Sequence, residues 1–266
     1  MRAVDEARAS SVEIDHDAAM TSHWTPRWAR LAAGAFAAWV AFSAGAAPPP
    51  AALADEPHAD PKPPAKAKRT YVVAAMGDSL SDPKSHGGKY LEYLAARCPK
   101  SRFDSYGIGG NMVNMMRRRF ARDVLGEGGD GSKPKYTHVI VLGGIGDILS
   151  NETAHRSAKK IEEDLAAMYA MAKAKGMTVV ALTLPPWGGF KAYDGARHRM
   201  TLDVNAWLVA RPADVDAVVD IHPLLSCGDT NKLCRDYAWP DQLHWAAKGH
   251  EVVGGELYAK VFADCE

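Results

Sequence analysis

No sign of charge dominates this chain: 32 Lys and Arg balance 32 Asp and Glu. That balance excludes the basic footprint of a nucleic-acid binder and leaves no acidic tail. Cysteine is scarce, with four in 266 residues, and none falls in C-x-x-C spacing. A thiolate metal site is therefore not expected. A dinucleotide fingerprint is missing as well. Gly107-x-Gly109 would need a third glycine where Met112 stands, and no acidic residue closes the second strand as such sites require. There is no internal repeat. Only one long apolar run occurs, Leu31 to Ala47, about 17 residues rich in Ala and Gly, at the lower limit for a membrane-spanning helix.

Arg27 and Arg30 precede that run, and two small-x-small sites follow it, Ala44-Gly45-Ala46 and Ala52-Leu53-Ala54. A basic flank, a short apolar stretch and an A-x-A site read as a secretory signal. An uncleaved anchor is the alternative, and Met20 is a second candidate start. Residues 1–54 are thus expected to be an extension and signal. Residues 55–69, rich in Pro, Ala and Lys, read as an extended linker. Residues 70–266 are the expected folded domain, exported to the periplasm or the medium, with no stable membrane anchor once the signal is removed. Export gives the even cysteine count a meaning: Cys227 and Cys234, around the turn-rich "GDTNKL", are expected to pair.

From Thr70 onward, short apolar runs alternate with segments of helical spacing. Strands are predicted at 71–76, 101–108, 136–144, 177–184 and 216–221, and helices at 88–98, 111–125, 153–176, 196–210 and 245–265. The alternation predicts an α/β domain, a three-layer α/β/α sandwich around five mostly parallel strands. Such sheets bind ligands outside the carboxyl ends of their strands. Five segments fall there: Ser79, Gly109-Gly110, Gly143 to Asp147, Trp187 to Tyr193, and Asp241 with His244.

A serine hydroxyl becomes a nucleophile only beside a base, and the base needs an orienting acceptor. Ser79, in "MGDSLSD", offers the hydroxyl near the expected start of a helix. His244 and Asp241, three apart in "DQLH", offer base and acceptor; taken alone, Asp241 reads equally as a cap and His244 as a surface residue. Trp187, Phe190 and Tyr193 are expected either to wall a substrate or to pack beneath their loop. Asp78 and Asp82 read as turn and capping residues, His86 as exposed, and His222 and His250 as unplaced. The cluster Arg117, Arg118, Arg119 and Arg122 reads first as a solvated helix face, and second as a contact for an anionic substrate.

Together these segments resemble the SGNH/GDSL hydrolases. "GDSLS" (77–81) matches the first block of that family, "YGIGGN" (106–111) the second, "LGGIGD" (142–147) the third and "DQLH" (241–244) the fifth. The resemblance implies Ser79 as nucleophile, His244 as base, Asp241 as orienting acid, and the N–H groups of Ser79 and Gly110 in an oxyanion hole. It also implies the flavodoxin-like strand order 2-1-3-4-5. In that order the first and last helices share a face, so Cys98 and Cys265 at their ends are expected to pair.

One block departs. The third block usually reads G-x-N-D, its Asn donating to the oxyanion; here Gly146 stands at that position. Asn111, Asn114 and Asn151 are the candidate substitutes. The function expected from the resemblance is an exported serine esterase, without metal or cofactor and monomeric, hydrolysing a carboxylic ester of a lipid or carbohydrate, with a small-molecule or polysaccharide substrate. The alternatives are an acyltransferase on an envelope glycan and a degenerate, non-catalytic binder of glycan or lipid.

Overall fold

The computed structural model describes residues 68–266. The expected signal, and all but the last two residues of the expected linker, lie outside the described residues.

A five-stranded parallel sheet organises the domain: β1 (Val72–Gly77), β2 (Arg102–Gly107), β3 (His138–Leu142), β4 (Thr178–Leu182) and β5 (Ala217–Val219). Its order is β2-β1-β3-β4-β5, as expected. β1 lies between β2 and β3, with Gly77 opposite both Gly107 and Leu142. All three loops that follow these strands therefore emerge side by side.

The central strands β1, β3 and β4 are largely apolar because both their faces are covered, whereas the edge strand β2 carries Arg102, Asp104 and Ser105. Side chains alternate between two cores. Ala74, Met76, Val139, Val141, Val179 and Ala181 face α2 (Val113–Asp123), α4 (Ala158–Ala174) and α5 (Gly195–Val209). Val73, Ala75, Ile140, Leu142, Val180 and Leu182 face α1 (Lys89–Arg97) and α7 (Ala247–Leu257). Helix α1 buries Tyr90, Leu91 and Leu94, the stripe its spacing predicts. Ser157 caps α4 by accepting from the Lys160 N–H at 3.3 Å, and Asp194 caps α5 by accepting from the Arg197 N–H at 2.8 Å.

The structure departs from the sequence reading at several points. Helix α4 starts at Ala158, not Thr153, because Ser157 supplies its cap. The last helix runs Ala247–Leu257 and ends in a π-helical turn, Tyr258–Phe262. Two short helices were not foreseen, α3 (Ile145–Leu149) and α6 (Ile221–Leu224). Nor was a two-stranded hairpin, β6 (Ser226–Cys227) with β7 (Asp229–Leu233). Helix α3 begins among glycines, which carry poor helix propensity, so local sequence hides it.

Both expected disulfides are present, Cys98–Cys265 and Cys227–Cys234, with Cα separations of 5.3 and 4.9 Å. The first joins the end of α1 to the residues after α7. There Arg69 also bridges Cys265, and the Lys100 N–H donates to the Glu266 carbonyl at 3.0 Å.

Candidate active site

Ser79 does not open a helix, as its sequence context suggests. It lies in a turn ten residues before α1, held by Ser81 N–H to Asp78 C=O at 3.1 Å and Asp82 N–H to Ser79 C=O at 3.3 Å. Asp78 Oδ1 accepts from the Leu80 N–H at 3.0 Å, the turn role expected of it. Asp82 caps a short 3₁₀ turn (Pro83–Ser85), accepting from the Lys84 N–H at 2.8 Å. It does more than cap. Its other oxygen accepts from the Gly109 N–H at 2.9 Å and from Ser85 Oγ at 3.0 Å, so it ties the serine turn to the loop after β2. A Cβ at Gly109 would stand 2.7 Å from Ser85 Oγ, so a side chain there would displace that hydroxyl from Asp82. Gly110 follows with φ +74°, a left-handed conformation.

Asp241 and His244 arrive on the loop between β7 and α7. The Trp239 N–H donates to the His244 carbonyl and the Gln242 N–H to the Trp239 carbonyl, each at 2.9 Å, closing a tight turn in which Gln242 takes φ +60°. Within it, Asp241 Oδ1 accepts from the Leu243 and His244 N–H groups at 3.1 and 3.0 Å. Its Oδ2 lies 2.6 Å from His244 Nδ1, and His244 Nε2 lies 2.9 Å from Ser79 Oγ. A hydroxyl, an imidazole and a carboxylate from segments 165 residues apart thus form one hydrogen-bonded chain. Partial burial works against the Asp241 charge, but the hydrogen bonds from His244 and the two backbone N–H groups prevail and hold its carboxyl below the usual range.

These residues line a cleft of about 570 Å³, together with Asp78, His86, Gly110, Ile145, Gly146, Leu149, Phe190, Trp239 and Leu243. Of the three aromatics expected at a substrate wall, Phe190 lines it. Trp187 is 1% exposed, belongs to the core, and donates from Nε1 to Thr201 Oγ1 at 3.0 Å. Tyr193 packs edge-on against Trp187 at 5.1 Å and does not line the cleft. Two groups at the mouth were missed: His86 and Trp239 stack with ring centroids 4.9 Å apart. Trp239 sits two residues before Asp241, and that adjacency is the signal that would have found it.

None of the three asparagines proposed to replace the third-block donor lines the cleft. Asn111 Oδ1 accepts from Arg119 Nε at 2.9 Å. Asn151 Oδ1 accepts from Arg197 Nε at 3.3 Å, and Asn114 Oδ1 is buried without a partner. Gly146 does line the cleft, but a Cβ there would stand 2.5 Å from the Asn111 carbonyl oxygen.

Arg119 corrects the solvated-face reading of its cluster. Arg117, Arg118 and Arg122 are exposed, but Arg119 is 8% exposed. Besides Asn111 it reaches the Gly77 carbonyl at 3.1 Å and Asp123 at 3.1 Å, joining the end of β1 to the loop after β2. Behind the cleft, Asp147 Oδ1 accepts from Arg156 Nε at 2.6 Å and Oδ2 from the Val113 N–H at 2.7 Å, so it holds the start of α2.

The family model described as GDSL-like Lipase/Acylhydrolase matches residues 75–252, which contain every segment of this constellation. The chain belongs to the GDSL-like lipase/acylhydrolase family. Solved structures share the fold of this acylhydrolase-family domain. A lipase/acylhydrolase from Enterococcus faecalis is 17% identical, with TM-score 0.58 over 74% of this chain and 98% of that one. A GDSL-like lipase from Bacteroides thetaiotaomicron is 17% identical, with TM-score 0.55 over 71% and 86%. The acetyl xylan esterase AlAXEase is 16% identical, with TM-score 0.57 over 71% and 99%. Among curated proteins none matches the chain.

Proposed function

We propose that the chain is an exported serine esterase. The observation that carries this reading is the 2.9 Å approach of His244 Nε2 to Ser79 Oγ, with Asp241 2.6 Å behind the imidazole. In the proposed cycle His244 takes the Ser79 proton as Oγ attacks the ester carbonyl. Asp241 holds the tautomer with the proton on Nδ1 and stabilises the imidazolium that forms. Among the described residues the N–H groups of Ser79 and Gly110 have no backbone acceptor, so both are free for the oxyanion. His244 then protonates the leaving alcohol, and water, deprotonated by the same imidazole, releases the acid.

Ile145, Leu149, Phe190 and Leu243 give the cleft an apolar lining suited to an acyl group. Trp239, 38% exposed at its mouth, suits the flat face of a sugar or the edge of a lipid. The ester of a lipid or a carbohydrate is the proposed substrate class. Two disulfides among the described residues support an oxidising compartment, and hence export.

The test is Ser79→Ala against a short acyl ester: turnover should vanish, and unchanged turnover refutes the assignment. One observation favours a second reading. Gly146 offers no side-chain donor, as in a hydrolase fold that only binds its glycan or lipid. A serine-directed fluorophosphonate separates the two, because an activated Ser79 is labelled and an inert one is not.

A further inference from the structure

We infer that the leaving alcohol of the ester is a sugar ring, held against the stacked pair of His86 and Trp239 at the mouth of the cleft. This rests on the esterase reading above and narrows it. The chemistry assigns the two sides of the cleft. When the bond from the carbonyl carbon to the leaving oxygen breaks, its electron pair stays on that oxygen, which takes the proton from His244 Nε2. The alcohol therefore lies on the imidazole's side of the carbonyl. Trp239 is fixed there: its N–H donates to the His244 carbonyl, and its own carbonyl accepts from the Gln242 N–H, each at 2.9 Å. His86 reaches it from the segment after Ser79, with ring centroids 4.9 Å apart and planes 23° from parallel. Both rings line the cleft. The apolar lining is a separate group. Ile145 and Leu243 are buried in the core beneath α2, α4 and α5, and Leu149 and Phe190 pack against it. That side suits the acyl group.

Core packing does not account for the stack. Neither ring belongs to either hydrophobic core. His86 is exposed, and Trp239 keeps 38% of its surface open. An indole held open beside a catalytic base has its negative π surface available to a ligand. A pyranose ring fits that surface, because it offers a flat array of C–H groups with hydroxyls around its rim. The His86 ring nitrogens can serve those hydroxyls, one as donor and one as acceptor in the neutral imidazole. A glycerolipid alcohol has no ring to stack, and its second acyl chain would need the apolar lining to continue outward. At the mouth the lining instead turns polar, with Ser85, His86 and Asp241 around Trp239.

The experiment compares kcat/KM for two acetyl esters, a methyl O-acetyl-glucopyranoside and glyceryl monoacetate. They share the acyl group and a hydroxylated alcohol and differ in the ring. Wild type, Trp239→Ala, Trp239→Phe and His86→Ala are assayed together. Calorimetry measures the affinity of Ser79→Ala for the acetylated glycoside, with and without Trp239→Ala. Wild type should favour the sugar ester by about tenfold or more, the scale of one aromatic contact. That ratio should fall about tenfold in Trp239→Ala, fall less in His86→Ala, and survive in Trp239→Phe. The proposal is overturned if wild type prefers the glyceryl ester. It is also overturned if Trp239→Ala slows both esters equally, which would make the stack a clasp between two loops and not a sugar site. Should Trp239→Ala not fold, an unchanged ratio in His86→Ala overturns it. Absence of turnover on both esters in wild type would instead overturn the esterase reading. Calorimetry then decides the sugar site alone, and equal affinity with and without the indole refutes it.

Discussion

The Asn111 carbonyl oxygen stands 2.5 Å from the place a Cβ on Gly146 would take. The loop after β2 has closed over the position where the family's third block carries its asparagine. Gly146→Asn should therefore not restore a donor. It should push back the loop bearing Gly110, lower kcat/KM by tenfold or more, and cost about 1–3 kcal/mol of stability by overpacking. Urea unfolding and ester turnover check both; a gain in rate would show that the loop yields.

Asp241→Asn should keep the turn, because an Asn oxygen still accepts from the Leu243 and His244 N–H groups. It should lose the imidazole tautomer and its charge support. A fall of about 10²–10⁴ in kcat with little change in Tm is expected, read by steady-state kinetics and a thermal melt on one preparation.

Arg119→Met should behave differently from the same change at Arg118. Removing the Arg119 guanidinium strips partners from the Gly77 carbonyl, Asn111 and Asp123 at once. A loss of about 2–4 kcal/mol is expected from three charge-assisted hydrogen bonds lost together, although Asp123 keeps Arg122 and the Gly77 carbonyl keeps the Ile108 N–H. Arg118→Met, on the exposed side, should fall within about 0.5 kcal/mol of wild type. Denaturant midpoints for the pair decide it.

Arg119 also marks where the sequence was hard to read. Four arginines in six residues look like one solvated face, and only the position of β1 reveals that one of them turns inward. The central strands β1, β3 and β4 were legible because doubly covered strands are near-continuous apolar runs; Ser79 was legible because it directly follows one, and Asp241 and His244, beyond the unforeseen hairpin, only through their D-x-x-H spacing. Trp187 was not, since a loop tryptophan reads alike whether it faces a ligand or Thr201. The closure of Asn111 over Gly146 was hidden as well, because it joins two loops through a backbone atom that has no sequence signature.

The two disulfides should differ in weight. Cys98–Cys265 closes a separation of 167 residues and Cys227–Cys234 one of 7. Chain entropy assigns them about 5 and about 2.5 kcal/mol. The Cys98→Ser, Cys265→Ser double variant should unfold at clearly lower urea than the Cys227→Ser, Cys234→Ser variant; equal midpoints would contradict the ranking.

Asp78 should set the acid side of the stability profile. Its folded pKa, raised from 3.8 to about 6, means that the native state holds a proton the unfolded chain releases. Stability from this group is present below pH 3.8 and is lost, by about 3 kcal/mol, as pH rises to about 6. Buried His250, lowered from 6.5 to about 4, acts oppositely: its contribution is present above pH 6.5 and lost as pH falls toward 4. The two offset between pH 4 and 6. Asp78→Asn should expose the His250 slope, becoming more stable than wild type at pH 7 and steeply acid-sensitive. Urea midpoints from pH 4 to 8 test it; parallel profiles would refute it.

The domain's head and tail meet at the pole of the sheet remote from Ser79, where Arg69 bridges Cys265 and Lys100 clasps Glu266. Its connectivity is thus almost a ring with a single cut. A short splice from Glu266 to Lys68, with fresh termini opened in the exposed glycine loop at Gly128 to Gly131, would reorder the polypeptide and leave the catalytic rim unobstructed.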